Sequence, residues 1–404
     1  MFIIEDVMSA FLLWKATNEE ENKVNFHEAK TLPARLELMG QLSEQFRKRA
    51  TETEEGGFPF DNIEALKRSG YTSLTLPRKY GGGELTLYEL IRLQEKLAQG
   101  DGSTSLSIGW HMGIIKNLHE KQPWKEDVFH KVCREIQSGA LINSAASEAQ
   151  TGSPTRGGKP QTTAQKKGDT WIINGRKIFT TMSPVLDYFI VSASIEEKDE
   201  VGNFLVHRSN PGVSIEETWD SVAMRGTGSH DLVLEQVVVK EEDHVETILP
   251  GKKGASGWLL HIPACYLGIA GAAQNYAIQF AKEYSPNSIQ GTISEIPTVR
   301  QKIGEMELGL MKSRHFLYSV AKQWDVSDEE ARAQMGAELG AVKMSVTNSA
   351  IKVVDLAMRV VGARSLSAKN PLQRYYRDVR AGLHNPPMDD MTIEILAKKV
   401  IGLK

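Results

Sequence analysis

The sequence predicts an α+β fold in three consecutive parts, helical, then strand-rich, then helical again, and two changes of hydrophobic period carry that reading. From Leu32 to about Gly139 apolar residues recur at helical spacing, as at Leu36, Met39, Leu42 and Phe46. Between Leu141 and Val239 short β-branched runs take over: Trp171–Ile173, Tyr188–Val191, Phe204–Val206 and Leu232–Val239. After Gly257 long amphipathic stretches return, with Ile303, Met306 and Leu310 on one and Leu339, Val342, Val346, Ala350, Val353, Ala357 and Val361 on another. These changes place domains at residues 1–139, 140–247 and 248–404, the first opening on a leader, residues 1–25, without a clear pattern.

The first part is broken by turns at Gly56-Gly57, Pro77 and Gly81–Gly83. In the second part, Ala145–Pro154 (AASEAQTGSP) is a small-residue loop. Gly152 has no Cβ, and Ser147, Thr151 and Ser153 add hydroxyls, so backbone amides can approach an anionic or electron-rich ligand. The following stretch, Trp171–Thr181 (WIINGRKIFTT), reads as a β-hairpin turning at Asn174-Gly175. Together they predict a sheet edge offering amides, hydroxyls and one aromatic ring to a flat heteroaromatic ligand. In the third part, Ala337–Val361 is apolar and rich in small residues, which suits close helix approach within one subunit or between subunits.

Composition narrows the function. A chain of 404 residues with 41% hydrophobic content can bury a substantial core, and its length favours two or three domains. A net charge of −3 supplies no basic field for nucleic acid or anionic lipid. Only Cys133 and Cys265 occur, too few for a disulfide framework and not spaced for zinc, which fits a reducing cytoplasm and buried structural thiols. The apolar run Ala10–Trp14 is too short to span a bilayer and is flanked by acids, so neither a membrane helix nor a signal peptide is expected.

The chain resembles the acyl-CoA dehydrogenase superfamily of flavoproteins. That family's loop (T/S)-E-x-x-x-G-S-D stands here as Ser147-Glu148 to Gly152-Ser153, and its W-x-(I/L)-N-G-x-K-x-(W/F)-(I/T)-(T/S) as Trp171 to Thr181. The likeness extends upstream through Gly70–Gly83 and Glu95–Gly113, and downstream through Asn210–Val239, Leu267–Tyr284 and Tyr375–Gly382. It implies an N-terminal helical domain, a central β-barrel or sandwich and a C-terminal four-helix bundle, assembled as a homotetramer or homodimer. It further implies FAD, with FMN as the alternative, an acyl-CoA substrate, and an electron-transfer flavoprotein as acceptor.

Residue by residue, the resemblance puts Ala146 and Ser147 at the flavin's pyrimidine side and Gly152 and Ser153 at its phosphates. It puts Phe179 beside the isoalloxazine, Thr181 near its N5/O4 edge, and Gly362 and Ala363 in the place of a Gly-Gly turn that contacts the cofactor. Several positions depart from the family. Pro154 stands where Asp is usual and removes a backbone donor. Ser288 stands where an Arg reaches a neighbouring flavin pyrophosphate, and Arg359 where a Gln precedes the Gly-Gly turn.

The largest departure concerns the catalytic base. Thioester dehydrogenation needs a carboxylate for the α-proton while hydride leaves the β-carbon. Counting from Tyr376-Arg377-Asp378, that Glu falls at Pro386, and the alternative position near Trp258 holds no acid either. Asp389 and Asp390 are near in sequence and could shift into reach through the Pro386-Pro387 turn; their alternative role is as helix N-terminal acids. The stretch Arg377, Asp378, Arg380, Leu383, His384, Asn385, Pro386 is similar instead to the superfamily's flavin-dependent monooxygenases, which carry R-(D/N)-x-R…L-H-(D/N)-P and receive reduced flavin from a separate reductase. His384 suits that chemistry because histidine titrates near neutral pH. His111, in SIGWHMG, is a second candidate, since that turn borders the substrate cavity in the family; a structural role for either His stays open. Three readings follow: a dehydrogenase, a monooxygenase or hydroxylase, and a non-catalytic scaffold.

Overall fold

The computed structural model describes residues 24–51, 53, 57–151, 158–248 and 254–403. Ala10–Trp14, Gly56, Gly152, Ser153 and Pro154 lie outside them. Helix α1 (Leu32–Arg49) starts where the Thr31 hydroxyl accepts from the Ala34 amide and Pro33 occupies the first turn. It buries Met39, Leu42 and Phe46, three of the periodic positions. α2 (Phe60–Arg68), α3 (Leu87–Ala98), α4 (Gly102–Lys121) and α5 (Glu126–Gln137) complete the N-terminal helices. SIGWHMG is therefore the middle of α4 and not a turn. Its glycines make a groove: a Cβ on Gly109 would lie 2.3 Å from His261 Nδ1, and one on Gly113 2.5 Å from Trp258 Cε3.

Among the described residues, eight strands form one hydrogen-bonded sheet: β1 (Ile142–Ala145), β2 (Thr163–Lys167), β3 (Thr170–Thr180), β4 (Tyr188–Ile195), β5 (Glu200–His207), β6 (Val213–Glu216), β7 (His230–Lys240) and β8 (His244–Ile248). Their order is β6-β7-β3-β2-β4-β5-β8, with β1 parallel to β4. Two antiparallel halves meet where Thr163 and Ala164 pair with Ser194 and Ile195. Trp171, Ile173, Phe189, Val191, Phe204, Val206, Leu232 and Leu234 from both halves enter one core.

The predicted hairpin at Asn174-Gly175 is not formed. β3 runs straight through that dipeptide, and the two-residue turn is Gly168-Asp169, flanked by the pair Lys167–Thr170. The long partner β7 overrides the local turn preference. Register against it shifts between Ile173 and Gly175, and Asn174 Oδ1 accepts from the Gln236 amide and side chain at 2.7 and 2.9 Å, closing a bulge. Gly175 is required by close approach, since a Cβ there would sit 2.4 Å from Thr162 Oγ1.

The C-terminal helices are α6 (His261–Glu283), α7 (Pro297–Val326), α8 (Glu329–Gln334), α9 (Gly336–Val361), α10 (Pro371–Arg380) and α11 (Asp389–Ile401). The α9 stripe Leu339, Val342, Val346, Ala350, Val353, Ala357, Val361 is buried within this chain, in a core shared with α6 and α7. Apolar residues of α7 (Leu308, Met311) and α11 (Ile393, Ile395, Val400, Ile401) stay exposed. Cys133 and Cys265 are buried free thiols, and burial pushes the Cys133 thiol up to about 12. Among the described residues no helix is long and apolar enough to cross a membrane.

Candidate active site

The two sequence motifs meet where β3 ends beside the loop that leaves β1. Ile178 N–H donates to the Ser147 carbonyl at 2.9 Å, and Asn143 Nδ2 donates to the Thr181 carbonyl at 2.9 Å. Ser147, Phe179 and Thr181 are thus brought to one place. There the backbone is strained: Phe179 has φ 56° and Met182 φ 68°, left-handed values disfavoured for large side chains. Thr181 N–H donates to the Phe179 carbonyl at 2.9 Å and closes the turn. The result is a phenyl ring held outward, 60% exposed, with the Trp219 ring edge-on at 6.0 Å.

A line of hydroxyls runs inward from this ring. Thr181 Oγ1 lies 2.9 Å from Ser229 Oγ, Ser229 Oγ 2.8 Å from Thr227 Oγ1, and Thr227 Oγ1 2.9 Å from the Met224 carbonyl. Trp219 is fixed by its N–H donating to His230 Nδ1 at 3.0 Å and its Nε1–H donating to the Met224 carbonyl at 3.2 Å. Sequence reasoning missed Trp219, Thr227 and Ser229; the hydroxyl-rich RGTGSH just before β7 was the available signal.

Behind the wall, Lys177 Nζ donates to Glu148 Oε1 at 2.6 Å, with both side chains buried. Glu148 also accepts from Gln161 N (2.6 Å), Thr162 N (3.0 Å), Thr162 Oγ1 (2.7 Å) and Thr151 Oγ1 (3.2 Å). Burial alone would raise its pKa, but the Lys177 ammonium and the Thr162 and Gln161 donors win and hold the carboxyl down at about 2.

The C-terminal helices reach the same loop. Asp378 Oδ1, on α10, accepts from the Met224 amide at 2.6 Å, and Arg377 Nη1 donates to the Val222 carbonyl at 3.0 Å. Burial raises the Asp378 carboxyl to about 7, while the Met224 donor and Arg374 oppose the shift. Directly after α10 comes the LHNP segment. Tyr266 donates its hydroxyl proton to Asn385 Oδ1, Pro386-Pro387 is a cis peptide, and His384 is exposed with no ring hydrogen bond to the described residues.

The other predicted residues fall elsewhere. His111 is fully buried, its Nε2 3.0 Å from the Thr72 carbonyl and its Nδ1 accepting from Ile142 N–H at 3.1 Å, so both ring nitrogens are spent on the main chain. Asp389 heads α11, accepts from Asn348 Nδ2 at 2.8 Å and lies 3.8 Å from Lys343 Nζ, which directs it into the bundle. Gly362, at φ 71°, ends α9, with Ala363 exposed beside it. Arg359 pairs with Asp355 at 2.7 Å, Ser288 is exposed, and Arg364 lies over the Tyr284 ring at 4.3 Å. Gly152 and Ser153 are outside the described residues.

Comparison with known proteins decides the family. The acyl-CoA dehydrogenase N-terminal, middle and C-terminal domain models match residues 37–121, 143–237 and 260–385. The chain belongs to the acyl-CoA dehydrogenase family. It is accordingly an oxidoreductase of a flavin-dependent enzyme family. A Bacillus subtilis (strain 168) protein named "Putative acyl-CoA dehydrogenase YdbM" is 56% identical over 90% of this chain and 95% of its own length. An L-evernosamine nitrososynthase of Micromonospora sp. (strain ATCC 39149) is 27% identical over 86% of this chain and 85% of its own. Among solved structures, a complex of TdsC from Paenibacillus sp. A11-2 with FMN and indole matches with TM-score 0.82 at 23% identity, covering 91% of this chain and 97% of that one. This acyl-CoA dehydrogenase family member therefore has relatives that differ in their named reactions.

Proposed function

We propose that this family member binds a flavin over Phe179, with Ala146 and Ser147 at the pyrimidine side, Thr181 at the N5 edge, and Gly152, Ser153, Gly362 and Ala363 serving the phosphate-bearing tail. The supporting observation is the strained, left-handed Phe179, whose ring is held in solvent beside Trp219 and a terminal hydroxyl. A flat aromatic ligand would cover that apolar face and meet the hydroxyl at its edge. FMN and FAD are both compatible; Ser288 and Arg359 in place of the family's tail-binding residues favour the shorter cofactor.

For the reaction, we infer an oxygen-using, reduced-flavin-dependent oxidation, with the reduced flavin delivered by a reductase. The observation that carries it is the fate of the carboxylates. Pro386 holds the family's base position, Asp378 is committed to the Met224 amide, and Asp389 to Asn348. A bound flavin supplies two-electron redox chemistry and, when reduced, reactivity toward oxygen. His384 is the chain's own group for holding or moving a proton there, since its ring is exposed and uncommitted among the described residues. Asp378 and Arg377 position this segment by tying α10 to the Trp219 loop. A second reading, α,β-dehydrogenation of an acyl-CoA with electron-transfer flavoprotein as acceptor, is favoured by the name of the 56% identical relative.

The two separate cleanly. Bleaching of the oxidised flavin by a CoA thioester without oxygen would establish dehydrogenation and overturn the first reading. Product formation that needs reduced flavin and oxygen together would establish the first. The exposed apolar residues of α7 and α11 support a homo-oligomer, which sedimentation of the flavin-loaded protein checks.

A further inference from the structure

We propose that Thr227 and Ser229 form a reversible hydroxyl relay, letting Thr181 present either a lone pair or a proton to the N5 edge of the flavin; the inference rests on the flavin placement proposed above. Ser229 and Thr227 are 5% and 2% exposed, so their protons must find partners in the protein and not in water. Each hydroxyl has one proton and can accept. The bonding pattern therefore has two self-consistent directions.

In one, Thr227 donates to the Met224 carbonyl, Ser229 donates to Thr227, and Thr181 donates to Ser229. Thr181 then shows only lone pairs outward. In the other, Thr227 donates to Ser229, Ser229 donates to Thr181, and the Thr181 proton points outward. Reversal moves no heavy atom. Nor does it strand the Met224 carbonyl, which keeps Trp219 Nε1–H at 3.2 Å and Thr227 N–H at 3.1 Å.

Such a switch fits a flavin for a simple chemical reason. Oxidised isoalloxazine has a bare N5 that accepts a hydrogen bond; after two-electron reduction N5 carries hydrogen and donates. A partner fixed in one sense matches only one redox state. The relay matches both without leaving a buried hydroxyl unpaired.

The test reads the midpoint potential of FMN- and FAD-loaded protein against a reference dye, together with the affinity for each flavin. In Thr227→Val, Ser229 retains only Thr181 as acceptor, so Thr181 is locked as an outward donor and the oxidised flavin is favoured. The reduced-to-oxidised affinity ratio should fall about tenfold, the value of one matched hydrogen bond, equivalent to about 30 mV for two electrons. Ser229→Ala should shift the potential the same way, since the Thr181 proton then lacks an inward acceptor, and Thr227→Ser should restore the wild-type value. An unmoved potential in both Thr227→Val and Ser229→Ala, with Thr181→Ala weakening flavin binding, overturns the relay alone. Unchanged flavin affinity and potential in Thr181→Ala overturn the flavin placement itself.

Discussion

Lys177 Nζ sits 2.6 Å from Glu148 Oε1, and this buried pair joins the loop motif to the strand motif that the sequence presents 29 residues apart. The pair stands behind the proposed flavin wall, so its first effect is on whether that wall exists. Breaking one partner leaves the other charge buried. Lys177→Met should cost about 3–5 kcal/mol in urea denaturation, and Glu148→Gln somewhat less because the amide keeps part of the acceptor set. The Glu148 pKa is depressed from 4.5 to about 2, so its stabilisation is complete above pH 4.5 and disappears as pH falls through about 2. A Lys177→Met variant as stable as wild type at neutral pH would contradict this account.

Two buried histidines predict a second acid effect, which sets in nearer to neutral pH. Burial lowers His111 from 6.5 to about 4 and His261 to about 3. Between pH 6.5 and 4 the unfolded imidazoles take up protons that the native ones refuse, so stability falls as pH falls through that window. His111 has two backbone partners, whereas neither His261 nitrogen has a partner among the described residues. His111→Phe should therefore lose about 2–4 kcal/mol by stranding the Thr72 carbonyl and Ile142 amide. His261→Phe should stay within about 1 kcal/mol of wild type and flatten the profile between pH 7 and 5. Equal losses in both variants would refute the distinction.

Periodicity made the three-part architecture legible because each segment's apolar spacing agrees with what it packs against: Met39, Leu42 and Phe46 on α1, or Val342, Val346 and Val353 on α9. Asn174-Gly175 misled because a two-residue turn signal is local, while the eleven-residue strand β3 is held by β7 across the sheet. For His111 the sequence left a catalytic and a structural role open, and the structure shows both ring nitrogens bonded to the main chain. A histidine's neighbours along the chain do not show whether its nitrogens face a cavity or a carbonyl. The resemblance singled out Ser147, Phe179 and Thr181 but not Trp219 and Ser229, which pack against Phe179 and Thr181 from a loop about forty residues on, through contacts that no short pattern encodes.

Phe179 offers a way to separate binding from stability. Its ring is 60% exposed, so truncation removes little buried area, and its left-handed backbone favours glycine. Phe179→Gly should melt within a few degrees of the wild-type apoprotein while its flavin affinity drops about tenfold, the scale of one aromatic contact face. Fluorescence titration with FMN and FAD measures the affinity. Unchanged affinity would remove Phe179 from the cofactor site.

His384 carries the sharpest test of mechanism. It lies on the LHNP segment, which Asp378 and Arg377 anchor to the Trp219 loop, and its ring is exposed. If it handles a proton in an oxygen-dependent reaction, His384→Ala should lower turnover about 10²–10⁴-fold with flavin affinity and melting temperature retained. Asp389→Asn, whose carboxylate faces Asn348 and Lys343, should leave turnover near wild type and affect only bundle stability. The reverse pattern, with Asp389→Asn inactive toward a CoA thioester and His384→Ala unaffected, would assign the base to Asp389 and return the enzyme to dehydrogenation.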